Sequence, residues 1–211
     1  MRKYILISLM PLFLLILSYN LVAYNLNFYK NEFSKHDVYT NLEKEDVDRE
    51  AANVINYLKT GEINKNYFNE KELNHLKDVY NLNNIVCYLF YILLAIISVC
   101  LLTLLYSKSY KEIYSSIFIS GLTSIAFAIV LSILITISFT TSFTLFHEIL
   151  FTNDLWQLNP ATDKIILMFP EGFFLDAFIR IIVYIITFSL VLTFAGELLL
   201  KHKIYKRIKP A

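Results

Sequence analysis

The sequence contains few cysteines, glycines and prolines, and it lacks the short motifs of most familiar enzymes. Of 211 residues, only two are Cys, four are Gly and four are Pro. It has no glycine-rich phosphate loop, no GxSxG or SxxK serine motif and no cysteine pair with zinc-ligand spacing. His147 and Glu148 begin an HExxH-like stretch, but Phe151 stands where the second histidine is required. These absences argue against the common hydrolase, kinase and zinc-protease mechanisms, and the sequence predicts no metal and no cofactor.

The two cysteines, Cys87 and Cys100, are thirteen residues apart in one apolar block. If that block is helical, a rise of about 1.5 Å per residue separates them by roughly 20 Å, too far for a disulfide. Neither has a charged neighbour that would stabilise a thiolate. We interpret both as small apolar residues, and a cysteine nucleophile is not predicted.

The sequence also has no excess of positive or negative charge, since 19 basic and 18 acidic residues give a net charge of +1. No nucleic-acid partner is therefore indicated. Hydrophobic residues make up 56% of the chain and lie in blocks, each long enough for the about 20 helical residues that cross a bilayer. The sequence predicts an all-α membrane protein with four transmembrane helices, at residues 4–23, 84–106, 114–137 and 175–200.

The first block has an alternative interpretation as a cleaved secretory signal, because Arg2 and Lys3 precede it. Its length is close to that of a full span, and Leu21 and Ala23 do not form a small-x-small cleavage site. We therefore expect a retained helix.

The distribution of Lys and Arg predicts the orientation. Basic residues precede the first span, lie in the turn at 107–113 and fill the tail at 201–211, which suits anionic lipids of the inner leaflet. Segment 25–83 has eleven acids and eight bases, and segment 138–174 has a single base, Lys164. We expect both termini in the cytoplasm of a bacterial cell, and both acidic segments as a partly helical extracytoplasmic cap on the cell membrane.

The first outer segment has the pattern of a folded region. Thr40 with Glu43, and Asn69 with Glu72, have the spacing of a helix-capping box. Helices are predicted at about 46–59 and 70–83. The apolar residues of the first helix fall on one face, which could lie at the headgroups or pack on the other outer segment; they are Val47, Ala51, Val54, Ile55 and Leu58.

Polar residues near the spans have structural interpretations. Serines and threonines of the third span, with Gly121 and Gly196, predict close helix packing. Asp176 and Arg180 have the spacing of an interfacial ion pair, with a substrate contact of Arg180 as the alternative. His36 and His202 are expected to contact solvent or lipid headgroups.

Two histidines are candidates for chemistry. His75 has Glu72 and Asp78 three residues away on either side of a predicted helix, and a carboxylate can fix the tautomer of an imidazole base. A solvated charged face is the alternative. His147 precedes a dense polar set that contains the only Trp of the chain, although an interfacial Trp needs no function. That set is Asn153, Asp154, Trp156 and Asp163.

Two stretches of the sequence, FNEKELNHLKDVYNL and FHEILFTNDLWQLNPATDKIILMFPEGFF, resemble the bacterial lipoprotein intramolecular transacylase (Lit) family. The first carries the pattern E-L-x-H-x-x-D-V, and the second carries F-H, D-x-W, T-D and a Pro-aromatic stretch. The matching residues are Glu72, Leu73, His75, Asp78, Val79, Phe146, His147, Asp154, Trp156, Thr162, Asp163, Pro170 and Phe173. The resemblance covers the chain in span order and loop length.

This resemblance implies a reaction. The substrate is a diacylated lipoprotein whose N-terminal cysteine bears diacylglycerol on sulfur, and its sn-2 acyl chain moves to its own α-amine. No acyl carrier and no obligate protein partner are implied. His147 is then the principal acid or base and His75 its partner. The remaining candidates orient these rings, bind the substrate or donate hydrogen bonds to an oxyanion; they are Glu72, Asp78, Asn153, Asp154, Trp156 and Asp163.

Two other functions remain open at this point. A non-catalytic outer-face receptor for lipid or peptide, or an accessory membrane subunit, would tolerate substitution of both histidines. A transporter or channel needs ionisable residues inside its spans, and only Glu197 qualifies.

Overall fold

The computed structural model describes the backbone of residues 1–208 and the side chains in that range other than 136–137 and 203–208. Of the basic tail predicted at 201–211, residues 209–211 and the side chains of 203–208 lie outside the described residues. All regular structure in the described chain is helical. The helices are α1 (Arg2–Ala23), α2 (Leu26–Lys35), α3 (Val38–Asn41), α4 (Lys44–Thr60), α5 (Glu70–Tyr106), α6 (Tyr110–Ile137), α7 (Phe139–Leu150), α8 (Lys164–Met168) and α9 (Glu171–Ile208).

Four of these helices, α1, α5, α6 and α9, are long and apolar enough to cross a membrane. The shortest, α1, has 22 residues, about 33 Å at 1.5 Å per residue, which exceeds the about 30 Å of a hydrocarbon core. The predicted all-α fold with four membrane-spanning helices is confirmed.

The chain forms two compact units. The first unit contains residues 1–19, 88–133 and those from 181 onward, and its packing depends on small residues. The Ser120 hydroxyl on α6 donates to the Leu6 carbonyl of α1 at 3.4 Å. A Cβ at Gly121 would lie 2.7 Å from the Ser189 carbonyl oxygen of α9, so α6 and α9 need glycine to approach this closely.

The second unit contains residues 20–87 and 134–180. Its aromatic core joins α2 to the start of α9 through rings 5.1 to 5.9 Å apart, namely Tyr29, Phe33, Phe169 and Phe173. The apolar face of α4 is also buried, including Val47 and Ala51 at 0% exposure. This unit holds every candidate residue named from the sequence.

One of the two expected capping boxes forms. Asn69 N–H donates to Glu72 Oε2 at 2.8 Å, and Glu72 N–H donates to Asn69 Oδ1 at 3.0 Å, at the start of α5. The prediction for Thr40 and Glu43 was wrong, because Thr40 lies inside the short helix α3 and α4 begins only at Lys44, without a side-chain cap.

The expected ion pair of Asp176 with Arg180 is also wrong. Asp176 Oδ2 instead contacts Lys35 Nζ and His36 Nε2, each at 2.6 Å. The Arg180 guanidinium lies over the Phe28 ring, 5.8 Å from its centroid. His36 therefore does not face solvent or headgroups as predicted, since residues from α2 have displaced the local partner of Asp176.

Candidate active site

His147 lies three residues before the end of α7, a helix that begins after Ser138, whose hydroxyl accepts the Thr141 N–H. Only 8% of His147 is exposed. Its Nδ1 is 2.7 Å from the Phe143 carbonyl oxygen, one turn earlier. Because a carbonyl only accepts hydrogen bonds, Nδ1 must carry the proton, which leaves Nε2 of a neutral ring as a proton acceptor.

Four aromatic side chains surround the His147 imidazole, among them the half-exposed Phe146, whose ring lies 5.4 Å away, edge to face. Trp156 stacks on it with centroids 4.9 Å apart and planes 28° apart. The rings of Phe143 and Phe151 lie at 4.4 and 5.6 Å. This packing holds the imidazole in one orientation and restricts water on its faces.

His75 lies on the first turns of α5, before the apolar stretch that starts near Asn84, and is also 8% exposed. Its ring centroid is 6.3 Å from that of His147. The Phe151 ring, 5.5 Å from His75, contacts both. His75 Nδ1 is buried and has no hydrogen-bond partner among the described residues, which is unusual for a buried polar atom.

Burial favours the neutral form of both imidazoles. Burial, reinforced by the neighbouring His147, lowers the pKa of His75 to about 4, although the Asp78 carboxylate opposes this shift. Burial also lowers the pKa of His147, and the hydrogen bond to the Phe143 carbonyl partly offsets it. Two adjacent neutral rings can accept or donate a proton without first losing one.

Two predicted carboxylates connect chain segments that are distant in sequence. Glu72, 1% exposed, accepts the Ile165 N–H at 2.6 Å as well as that of Asn69. Asp163 accepts from the Asn69 side-chain amide at 2.9 Å and from the Asn159 N–H at 2.7 Å. We call these four partners, Asn69, Glu72, Asp163 and Ile165, the Glu72 clasp.

Hydrogen bonds from several neighbouring residues favour the ionised form of Asp163. The Asn159 N–H, with the Asn69 and Thr162 side chains, lowers the pKa of the Asp163 carboxyl. The Glu72 clasp therefore joins the start of the His75 helix to the chain that follows Trp156.

The other polar candidates lie nearer the surface. The Asn153 side-chain amide donates to Asp78 Oδ2 at 2.9 Å, a second link between α5 and the loop after α7. Asp154 is exposed, and its carboxylate accepts only from Gln157 in its own turn, at 3.3 Å. Neither Glu72 nor Asp154 bonds to an imidazole in the described structure.

The structure brings His75, His147 and Trp156 together, and it adds Phe143 and Phe151, which the sequence did not single out. A signal for Phe143 exists, since a histidine near a helix end can bond the carbonyl four residues earlier. Phe151 is the residue that stands in place of the second histidine of an HExxH motif. Among the described residues, ligand-type side chains close enough to hold a metal ion occur elsewhere, at Glu32, His36 and Asp176.

The chain is similar to known proteins in sequence and in fold. The model of the lipoprotein intramolecular transacylase Lit family matches residues 4–174. The membrane-integral lipoprotein intramolecular transacylase Lit from Bacillus cereus is 26% identical, with a TM-score of 0.87 over 97% of this chain and 96% of that one.

Two structures of that Bacillus cereus protein with one histidine replaced by Arg or by Ala are also similar. Each has a TM-score of 0.82 over 97% of this chain, at 25% and 26% identity, and they are covered over 93% and 94% of their length. A search of curated proteins found no match.

The Glu72 clasp predicts a large stability effect. Glu72→Ala leaves the buried Ile165 N–H and the partly buried Asn69 N–H without their acceptor, and charged hydrogen bonds contribute about 1.5–3 kcal/mol each. We expect a clear fall in the melting temperature of the detergent-purified protein. Glu70→Ala, an exposed carboxylate of the same turn, is the control and should change little. A Glu72→Ala variant as stable as the control would show that the clasp is not structural.

His75 is predicted to make the folded protein less stable in acid. An unfolded chain protonates this histidine near pH 6.5, whereas the folded chain resists until about pH 4. Stability contributed by the neutral ring is therefore present above pH 6.5 and is lost as pH falls toward 4, by up to about 1.4 kcal/mol per pH unit.

The test compares His75→Leu with the wild type. Since Nδ1 is buried without a partner, the variant should be at least as stable at pH 7, and its melting temperature should fall less between pH 6.5 and 4.5. A variant that is less stable at pH 7 and equally acid-sensitive would contradict this.

Proposed function

Because the chain belongs to the lipoprotein intramolecular transacylase (Lit) family, it is a membrane acyltransferase acting on lipoproteins, and we propose that His147 and His75 carry out its acyl transfer. In this reaction the sn-2 acyl chain of a diacylglyceryl N-terminal cysteine moves to the α-amine of the same cysteine. The supporting observation is the pair of neutral imidazoles, 6.3 Å apart between centroids, inside one aromatic pocket.

The reaction exchanges one ester for one amide. The α-amine has a reference pKa near 8, so its ammonium form must first release one proton to solvent. The free amine then attacks the ester carbonyl, and the new C–N bond gives a tetrahedral intermediate, which collapses when the bond to the sn-2 oxygen breaks. A second proton, removed from the nitrogen after attack, ends on that oxygen, and the product is an N-acyl lyso-form lipoprotein. Donor and acceptor are in one molecule, so correct positioning supplies much of the acceleration.

His147 is the proposed base. Its Nδ1–H is held by the Phe143 carbonyl, which aligns Nε2 to accept the amine proton. The same hydrogen bond favours the imidazolium that forms, and it opposes the effect of burial on the pKa. The protonated ring then returns the proton to the departing sn-2 oxygen.

His75 has a different proposed role. With a pKa of about 4 it is a poor base at neutral pH, and its neutral N–H suits hydrogen bonding to the oxyanion. The unpartnered Nδ1 supports this, because a substrate oxygen would satisfy it if it carries the proton. The Trp156 indole, the Asn153 amide and backbone N–H groups of the same loop are further candidate donors.

The acidic candidates have supporting roles in this proposal. The Glu72 clasp and the Asp78–Asn153 link hold the two histidine-bearing segments together. Asp78 is also the carboxylate near His75, and with the exposed Asp154 it is suited to attract the substrate ammonium.

The outward face of α7 is suited to acyl chains. His147 faces inward, whereas Leu145, Phe146 and Ile149 are 52%, 50% and 70% exposed. An apolar face beside a polar site is suited to the boundary between acyl chain and headgroup. With the charge pattern of the loops, this supports a site at the extracytoplasmic face of the cell membrane, with both termini in the cytoplasm and segments 25–83 and 138–174 as the cap.

Replacement of either histidine should abolish the product. His147→Asn removes the base and His75→Asn the oxyanion donor, and we expect each to reduce N-acylation at least about 100-fold. The measurement is mass spectrometry of a lipoprotein N-terminal peptide from a host that lacks N-acylation. The control is His202→Asn, the same change at an exposed histidine.

Equal protein levels in the membrane fraction are required for the comparison. Retained product in both site variants would remove the histidine assignment. A wild type that gave no product would instead favour a receptor or accessory role for this face.

A further inference from the structure

A second cluster of ionisable side chains lies away from the histidine pair. Glu32, Lys35 and His36 are on and just after the last turn of α2, and Asp176 is on the second turn of α9. Ligand atoms of Glu32, His36 and Asp176 all lie within 4.8 Å of one another. We call these four residues the α2–α9 cluster. Neither the resemblance nor the proposed reaction uses them.

One carboxylate oxygen of this cluster accepts no hydrogen bond from any described residue. Glu32 is 8% exposed, and its Oε2 is buried without a hydrogen bond. The neighbouring cations stay at a distance, with Lys35 Nζ at 3.8 Å and His36 Nε2 at 3.7 Å. A buried carboxylate oxygen with no donor is costly, and here it lies beside a second carboxylate. Among the described residues, Glu32 Oε2 therefore has only these two long ion pairs to offset its burial.

We propose that Glu32, His36 and Asp176 form a zinc-binding site. One imidazole nitrogen and two carboxylate oxygens are a three-residue ligand set that Zn²⁺ accepts, with water in the fourth position. A dication between the two carboxylates satisfies Glu32 Oε2 and offsets their repulsion. Its effect is to tie the end of α2 to the start of α9. This proposal does not rest on the acyl-transfer mechanism.

The site requires only local adjustment to bind the ion. Zinc bonds of about 2.0–2.2 Å in a tetrahedron place ligand atoms about 3.3 Å apart. His36 Nε2 and Asp176 Oδ2, now 2.6 Å apart, must separate slightly, while Glu32 moves closer. Lys35 occupies the same Asp176 oxygen at 2.6 Å, but its side chain is 58% exposed and can turn into solvent.

Gly172 fixes the position of the His36 ring. A Cβ at this glycine would lie 2.8 Å from His36 Nδ1, so the imidazole packs directly on the α9 backbone. Gly172→Ala therefore displaces a ligand without removing it, which gives a test that is independent of ligand deletion.

The experiment measures zinc binding to the full chain, purified in detergent, with any affinity tag removed and metal stripped by a chelator. Equilibrium dialysis against ZnCl2, followed by elemental analysis, gives the stoichiometry and Kd. We expect one zinc per chain. Glu32→Gln and Gly172→Ala should each weaken binding at least about tenfold, whereas Lys35→Gln should strengthen it because a competitor for Asp176 is gone.

Two controls separate this site from others. Glu62→Gln, at an exposed carboxylate, and His147→Asn, in the histidine pair, should leave the Kd unchanged. The proposal is overturned if the wild type retains no zinc, if Glu32→Gln binds as the wild type does, if Lys35→Gln weakens binding, or if His147→Asn removes it. Loss of N-acylation in His147→Asn with zinc still bound would separate the two sites.

Discussion

The buried carboxylate of Glu72 connects the two segments that carry the candidate histidines. It caps the helix of His75 through the Asn69 N–H and accepts the Ile165 N–H at the start of α8. Because two backbone donors, one of them buried, depend on one side chain, neither segment can move without breaking a hydrogen bond to Glu72. Asn69 extends the same connection to Asp163. The 6.3 Å separation of the imidazoles is a consequence of this packing.

The electrostatics of the pair follow from its surroundings. Phe143, Phe151 and Trp156 bury the rings and favour their neutral form, so neither ring takes up a proton from water at pH 7. The Phe143 carbonyl selects the tautomer of His147, whereas His75 Nδ1 stays without a partner. Such an unsatisfied buried atom is unfavourable for folding, and its presence fits a group reserved for a ligand. The two histidines are equally buried, but they differ in hydrogen bonding: Nδ1 of His147 is occupied by the Phe143 carbonyl, and Nδ1 of His75 is not occupied by a described residue.

The sequence predicted the four membrane helices, the Asn69–Glu72 cap and the pairing of His75 with His147, because these depend on composition, local spacing and a family pattern. It did not predict the partners of the charged groups. Spacing paired Asp176 with Arg180, but Lys35 and His36 come from another helix. Glu72, expected beside His75, bonds to the Ile165 backbone 93 residues away. Such contacts are set by tertiary packing. The spacing of residues within one helix, at i,i+3 and i,i+4, does not predict them.

The most direct test of the central claim is the protonation state of His147 in the folded protein. Full-length chain with ¹⁵N-labelled histidine, in detergent at pH 7, would be studied by NMR, and His147→Asn would assign the resonances. A neutral ring protonated at Nδ1, with Nε2 unprotonated and this pattern kept below pH 6.5, is the predicted result. An imidazolium at pH 7, or a neutral ring protonated at Nε2, would contradict the account, because neither form presents a base to the substrate amine.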